Sequence, residues 1–74
     1  MKEKIYKMCK NFSKNLKIER NQRKLTQKQV ADMLDIKTQS YQAYEAGITM
    51  PTAENLLKIS ILFNLSIDEL FEIK

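Results

Sequence analysis

The chain has 74 residues, enough for one small domain, and its 43% hydrophobic content with a single Gly and a single Pro favours helices over hairpins. A lone Cys and the absence of His exclude an internal disulfide and the usual zinc and redox sites, and no apolar stretch suits a spanning helix or a signal peptide. The charge of +4 is uneven, because residues 1–24 carry nine Lys or Arg and two Glu, a net +7, whereas residues 25–74 carry a net −3. This imbalance suggests a polyanionic partner, although a solvated face is the commoner explanation for a lysine-rich run taken by itself.

The first predicted helix carries apolar residues at helical spacing and ends near Arg23, and Asn11 or Ser13 is its expected cap. The same apolar side extends backward toward the N-terminus. We therefore divide the chain into a basic extension, residues 1–10, which frays or lengthens helix 1, and a domain that covers residues 11–74. The apolar side of the extended helix contains Ile5, Cys9, Phe12 and Leu16.

The second predicted helix begins at Gln27 and ends near Asp35. Thr26 and Gln29 have the spacing of a capping box, in which each side chain accepts a hydrogen bond from the other residue's backbone N–H. The small Ala31 lets another helix cross closely. The predicted buried stripe contains Val30, Met33 and Leu34.

The third predicted helix runs from about Thr38 to Ala46, and Gly47 supplies the left-handed residue that ends it. Its middle carries the amides Gln39 and Gln42, where a solvated helix would usually carry charges. Glutamines on an exposed helix are usually only solvated, so these amides indicate a role in reading hydrogen-bonding groups only together with the surrounding motif.

Two further helices complete the predicted fold. Pro51 and Thr52 begin helix 4, and Asn64 is expected to end it in the left-handed conformation. The sequence "SIDE" at residues 66–69 is a second capping box and begins helix 5. The residues expected to face the core are Leu56, Leu57, Ile59, Ser60 and Phe63 in helix 4, and Ile67, Leu70 and Phe71 in helix 5.

Helices 2 and 3 form a helix-turn-helix arrangement, whose second helix lies in the DNA major groove. The stretches "LTQKQVADMLDIKTQSYQAYEAG" and "MPTAENLLKISILFNLSIDELF" resemble the lambda-repressor-like helix-turn-helix family of phage repressors, Cro proteins and bacterial XRE-type regulators, over residues 12–71. The resemblance implies a compact, all-α, five-helix domain, a dimer on a partly palindromic operator, and control of transcription. It rests on the opening Leu-Thr-Gln, Ala31, Tyr44 with Glu45, Gly47, Pro51 and the closing "NLSIDEL".

The resemblance also implies roles for side chains around helix 3. Arg20 and Glu45 match a structural salt bridge between helix 1 and the end of helix 3, and Gln27 matches a glutamine that binds a phosphate and braces helix 3. Glutamine suits base reading because its amide can form two hydrogen bonds with adenine. The positions that match base-reading residues are Lys37, Thr38, Gln39, Gln42 and Ala43.

Phosphate contacts are expected at the N-terminal ends of helices 2 and 3 and from lysines near the start of helix 1. The loop after Gly47 is often basic in the family, but Ile48, Thr49 and Met50 are uncharged here. Tyr41 is expected to pack in the core. The candidates for phosphate contact are Gln27, Lys28, Lys37 and, through its hydroxyl, Tyr44.

The turn departs from the family pattern at two positions. Asp35 stands where Gly is frequent, and a left-handed Asp costs about 1 kcal/mol. Lys37 stands where Ser or Thr commonly caps helix 3, so a cap at Thr38 would shift the base-reading set by one residue.

The predicted function is a sequence-specific, double-stranded DNA-binding transcriptional regulator, a small dimeric repressor that reads the major groove with helix 3. A homodimer is expected through helix 5 and the tail, because Ile18, Ile61 and Ile73 are apolar where the core pattern does not require it. The alternative is a protein-interaction module, such as an antitoxin or accessory factor, that uses the same fold to bind a partner protein. The dimer candidates are Ile61, Phe71 and Ile73.

An enzyme is not expected, because His is absent, Cys9 has no evident activating base and no glycine-rich phosphate cradle is present. No catalytic residue, metal site or cofactor is therefore predicted. A membrane partner is not expected either, since the core requires the apolar side of helix 1. The sequence predicts a cytoplasmic protein, bacterial or phage-encoded, that is associated with the nucleoid when bound to DNA.

Overall fold

The computed structural model describes residues 1–73, which form five α-helices and no strand. The helices are α1 Lys2–Gln22, α2 Gln27–Leu34, α3 Thr38–Ala46, α4 Ala53–Phe63 and α5 Ile67–Phe71. The predicted all-α, five-helix architecture is confirmed for these residues. The predicted domain range extended to residue 74, which lies outside the described part of the chain.

The core lies where α1 contacts α3 and α5 and where α2 contacts α3 and α4. The ring of Phe12 stacks on the ring of Phe71, with centroids 4.8 Å apart, and this contact holds α5 against α1. Each large apolar side chain that is fully buried contributes about 1.5–3 kcal/mol. The buried apolar residues come from all five helices and are Phe12, Leu16, Val30, Ala31, Leu34, Tyr41, Tyr44, Ile59, Phe63 and Leu70.

The helix starts follow local hydrogen-bonding signals. The Thr26 hydroxyl accepts from the backbone N–H of Gln29 at 3.0 Å, and the Gln29 side chain accepts from the backbone N–H of Thr26 at 2.8 Å. Ser66 and Glu69 make the same reciprocal pair at 3.0 Å in both directions. Both predicted capping boxes are therefore confirmed.

The helix ends also follow the sequence. Gly47 ends α3 with φ 74°, and Asn64 ends α4 with φ 54°. Asp35 ends α2 in the left-handed conformation, with φ 56° and ψ 48°. All three residues adopt the backbone conformation predicted for them.

Helix α1 is longer than its predicted caps imply, because it begins at Lys2 and its N-cap is Met1. Asn11 and Ser13 are interior residues, so the prediction that one of them caps the helix is wrong. Ser13 is buried instead, and its hydroxyl donates to the backbone oxygen of Tyr44 at 2.7 Å. This hydrogen bond joins the middle of α1 to the end of α3.

Three apolar residues expected on the core side are exposed: Met33 by 56%, Leu57 by 59% and Ile5 by 52%. Successive residues of an α-helix are rotated by about 100° about the helix axis. At this spacing the Met33 side chain lies outside the side of α2 that faces the core. Leu57 lies on the side of α4 opposite Ile59 and Phe63, which are buried. Ile5 belongs to the first turns of α1, where residues 1–7 are all exposed.

Candidate nucleic-acid interface

Helices α2 and α3 are joined by a turn of three residues, 35–37. The backbone N–H of Asp35 donates to the oxygen of Asp32 at 3.1 Å, and that of Ile36 donates to the oxygen of Ala31 at 3.0 Å. The side chain of Ile36 packs against the core. Because these contacts satisfy the last carbonyls of α2 and anchor the turn, they fix the direction in which α3 leaves it.

Lys37 occupies the N-cap of α3 with an extended backbone, φ −69° and ψ 142°, and its side chain makes no capping hydrogen bond. Thr38 is the first helical residue. The alternative in which Thr38 caps the helix and shifts the base-reading set is therefore wrong. The free N–H groups of the first turn and the exposed Lys37 side chain give this end of α3 a positive potential.

The exposed side of α3 carries neutral hydrogen-bonding groups. Gln39 and Gln42 are both exposed and lie three residues apart, so they are neighbours on the helix surface. Thr38 and Ala43 are half-buried beside them. The one charged residue of α3, Glu45, is directed toward α1 and α2. The exposed side of α3 can thus donate and accept hydrogen bonds without a charge.

Glu45 connects α3 with α1 and α2 through both carboxylate oxygens. Arg20 donates from Nε to Oε2 at 2.7 Å and from Nη2 to Oε1 at 3.0 Å. The Gln27 amide donates to Oε1 at 3.1 Å, and a third Arg20 nitrogen donates to the backbone oxygen of Leu25 at 2.9 Å. The side chains of Arg20 and Glu45 are only 12% and 4% exposed, so this network fixes the C-terminal half of α3.

The same contacts determine the protonation of the pair. Burial by itself would raise the pKa of Glu45, but interactions with Arg20, Tyr41 and Gln27 outweigh burial and hold that pKa below its ordinary value. The hydrogen bond to Glu45 raises the pKa of Arg20, against an opposing effect of burial. Both groups therefore remain charged at neutral pH.

Tyr41 lies beside this pair and is fully buried. Burial raises the pKa of its hydroxyl, and the nearby Glu45 carboxylate raises that pKa further, so the phenol stays protonated. Although the hydroxyl interacts electrostatically with Glu45, it makes no hydrogen bond of normal geometry within the described residues. As expected from its position in the helical pattern, Tyr41 packs in the core.

The candidates for phosphate contact at the start of α2 have different surroundings. Gln27 is half-buried, and its amide braces Glu45. Lys28 is exposed and pairs with Asp32 at 2.9 Å. An exposed pair of this kind contributes little free energy, so the Lys28 ammonium can exchange Asp32 for another anion.

Tyr44, a candidate for phosphate contact, is packed between α3 and α4. Its side chain is 6% exposed, and its hydroxyl accepts a hydrogen bond from the Asn55 amide of α4 at 3.1 Å. The sequence interpretation missed Asn55 and Ser13, which hold α3 on two sides. The contact of Ser13 with α3 could have been predicted, because Ser13 is a polar residue close to the apolar side of α1. No feature of the sequence indicated the contact of Asn55.

The three dimer candidates lie against different elements. Ile61 is 80% exposed and lines a surface groove with residues of α2 and α4. Phe71 stacks on Phe12 of α1, and Ile73 follows α5 with 40% exposure. The groove beside Ile61 is lined by Met33, Leu34, Asp35, Lys58, Ile61 and Leu62.

Within residues 1–73, no helix is long and apolar enough to cross a membrane. The same part of the chain contains no group of three or more His, Cys, Asp or Glu side chains that could hold a metal ion.

Comparison with known proteins extends these observations. A family model described as helix-turn-helix matches residues 16–70. An uncharacterized HTH-type transcriptional regulator, YqaE, of Bacillus subtilis (strain 168) is 44% identical over 61 residues, which cover 82% of this chain and 53% of that protein. The cryptic phage CTXphi transcriptional repressor RstR of Vibrio cholerae serotype O1 is 51% identical over 53 residues, 68% of this chain and 47% of that protein.

The chain spans about half the length of these curated relatives. No solved structure matches it significantly.

Proposed function

The chain belongs to the helix-turn-helix family, and from this premise we propose that it is a sequence-specific, double-stranded DNA-binding transcriptional regulator, a small dimeric repressor that reads the major groove with α3. The observation that carries the proposal is the exposed, uncharged side of α3, which carries Gln39 and Gln42 while Glu45 is held by Arg20 and Gln27. A rigid helix with amides on its exposed side can present donors and acceptors to base edges at fixed positions.

Base reading is assigned to Lys37, Thr38, Gln39, Gln42 and Ala43. A glutamine that forms two hydrogen bonds with adenine contributes about 1–3 kcal/mol of discrimination against other bases. Ala43 and the Thr38 methyl group suit contact with the thymine methyl. Lys37 can contact either guanine or the adjacent phosphate, since its side chain is exposed at the start of α3.

Phosphate contact is assigned to Gln27, Lys28 and Lys37. The two lysines are exposed, and the backbone N–H groups at the starts of α2 and α3 favour an anion. Tyr44 stays a candidate for phosphate contact, since its hydroxyl accepts a hydrogen bond from Asn55 and keeps its own proton to donate.

A homodimer is part of the proposal, because one module of this size buries too little DNA surface for strong specific binding. Two copies would place two α3 helices on successive half-sites of a partly palindromic operator. Ile61, Phe71 and Ile73 remain the proposed contacts. When bound to its operator, the protein would be associated with the nucleoid.

The direct test is selection from a pool of random duplexes at near-physiological salt, followed by sequencing of the retained DNA. We expect two inverted half-sites about 10 base pairs apart from centre to centre. Gln39→Ala and Gln42→Ala should each relax the preference at one position per half-site, whereas the matched control Gln22→Ala, an exposed glutamine at the end of α1, should leave it unchanged. Loss of preference in all three variants would contradict the assignment of α3 as the reader.

A protein-interaction module is the second candidate function. It is favoured by the exposed apolar side chains Met33, Leu57 and Ile61, which belong to neighbouring parts of α2 and α4, and by the uncharged loop at Ile48. If the selection enriches no sequence and the protein instead co-purifies with one partner protein in stoichiometric amounts, this second function replaces the first.

A further inference from the structure

The loop between α3 and α4 forms a groove with the first half of α1. The loop residues are uncharged, and Ile48 is 75% exposed and Met50 40% exposed. The groove has a volume of about 110 Å³. It is lined by Tyr6, Cys9, Lys10 and Ser13 of α1 and by residues 47–50 of the loop.

Helix α1 holds Lys10 at this groove. Ser13, three residues later on the same side of the helix, is hydrogen-bonded to the backbone oxygen of Tyr44 and lies next to Gly47, where an added Cβ would be 3.6 Å from its hydroxyl. The Lys10 ammonium lies 5.3 Å from the centroid of the Tyr6 ring, within the range of a cation–π contact. The cation is therefore positioned by α1 and by Tyr6 beside the loop that follows α3.

The charges around Lys10 favour an anion as the group that its ammonium binds. Within residues 1–73 no carboxylate lies within ion-pair distance of Lys10, and residues 1–10 contain four Lys and one Glu. A second copy of this same surface would bring lysines against lysines. Charge complementarity thus selects a polyanion over another copy of the chain.

We propose that Lys10, supported by Tyr6, binds a phosphate of the duplex DNA backbone next to the end of α3 and supplies the positive charge that the neutral loop lacks. This inference rests on the proposed function, since it extends the contact surface of the same DNA-reading helix. The Tyr6 hydroxyl adds a donor for the same phosphate group, and Ile48 offers an apolar contact for the deoxyribose. The extended α1 then takes part in binding, and the footprint reaches beyond the bases that α3 contacts.

A purely structural role for Lys10 predicts a different result. Helix α3 has no basic residue in its last turn, so a nearby cation would also stabilise its C-terminal carbonyls. Such a role would lower the melting temperature of a Lys10 variant without changing how its DNA affinity depends on salt. A phosphate contact predicts the opposite result, in which the salt dependence of DNA affinity changes in the Lys10 variant and its melting temperature does not.

The experiment compares the wild type, Lys10→Ala and the matched control Lys4→Ala. Lys4 is on the same helix but lines a different groove, with Met8, Asn11 and Glu72. Affinity is measured over a series of salt concentrations for two DNA probes, the duplex retained by selection and a mixed-sequence duplex of equal length. Melting temperatures of the free proteins are measured in parallel.

We expect Lys10→Ala to reduce the slope of log affinity against log salt by about 0.9, the value for one neutralised phosphate. The reduction should be equal for both duplexes, because a backbone contact carries no sequence information. Lys4→Ala should keep the wild-type slope, because the proposal narrows the expected contact by lysines near the start of α1 to Lys10, which lines the groove beside the loop. Ethylation of single phosphates should reveal one position that impairs wild-type binding and not Lys10→Ala binding.

Equal slope reductions in the two variants would overturn the proposal, because the effect would then come from net charge alone. An unchanged slope with a lower melting temperature for Lys10→Ala would assign Lys10 to the stability of α3 instead. If the wild type binds neither duplex, the proposed DNA-binding function fails and this inference fails with it, whereas wild-type binding with an unchanged Lys10→Ala slope removes this inference alone.

Discussion

Glu45 is a nearly buried carboxylate that receives hydrogen bonds from Arg20 and Gln27. Glu45→Gln preserves the size of the side chain and removes its charge. We expect the free energy of unfolding at pH 7 to fall by about 1–3 kcal/mol, because the Arg20 guanidinium would remain partly buried without its counterion. Urea unfolding of the wild type and the variant measures this difference.

The pH dependence of this difference in unfolding free energy tests whether the charge of Glu45 causes it. The pKa of Glu45 lies below its ordinary value of 4.5 in the folded protein, so the folded state binds this proton less tightly than the unfolded state does. The stabilisation by the ion pair is therefore complete well above pH 4.5 and is lost as the pH falls through 4.5 and then through the folded pKa.

The gap between the wild type and Glu45→Gln should accordingly narrow as the pH is lowered from about 6 to about 3. Glu54→Gln is the control, since Glu54 is 82% exposed in its pair with Lys58. The unfolding free energies of this variant and the wild type should differ little at every pH. A Glu45→Gln gap that stays constant through this range would mean that the carboxylate stabilises α3 through its shape and not its charge.

Among the secondary-structure elements, the turn between α2 and α3 contains an evident local strain. Asp35 adopts φ 56°, where the Cβ of any residue other than Gly crowds the backbone. Asp35→Gly should raise the free energy of unfolding by about 0.5–1 kcal/mol, because relief of the crowding exceeds the added entropy of the unfolded chain. Asp35→Ala retains the Cβ and serves as the control in the same urea experiment. If Ala stabilises as much as Gly, the gain comes from the lost charge and not from the backbone.

The same elements show what the sequence could predict. The caps at Thr26 and Ser66 and the left-handed residues at Asp35 and Asn64 depend on hydrogen bonds within a few residues, so local sequence was sufficient. The exposure of Met33 was not predictable in this way, because the width of the apolar side of α2 depends on where α3 and α4 contact it. That α1 continues through Ser13, an expected cap, was likewise not predictable from local sequence, because Ser13 is buried against α3 and its hydroxyl donates to the backbone oxygen of Tyr44.

For the whole molecule, the candidate site was predicted only in part. The resemblance to a known family indicated the pairing of Arg20 with Glu45, which the structure contains, and no residue spacing alone would have indicated it. The position of Lys10 beside the loop was not predictable, because these parts are separated by more than 30 residues and meet only when α1 packs on α3. Base reading by Gln39 and Gln42 stays a prediction until DNA binding is measured.

The assembly of two copies is the last property that belongs to the whole molecule. Ile61 is the most exposed of the three dimer candidates, at 80%, and lies in a groove beside Met33, whereas Phe71 is already packed on Phe12. If two copies meet through this groove, Ile61→Glu should abolish the dimer in sedimentation experiments. Because Ile61 makes little contact with its own core, the melting temperature of the variant should be nearly unchanged.

Ile18→Glu is the control, since Ile18 is an exposed isoleucine of α1 that does not line this groove and should leave a dimer formed through the groove intact. DNA binding by the variant connects the oligomeric state with the proposed function. Two monomers lose the entropy of association in two separate binding events, whereas a dimer that occupies one half-site binds the second intramolecularly. Ile61→Glu should therefore bind the full operator much more weakly than the wild type while it binds an isolated half-site equally well. A wild type that is monomeric at every concentration would contradict the proposed homodimer. An Ile61→Glu variant that still dimerises would instead move the interface away from Ile61 and toward α5 and Ile73.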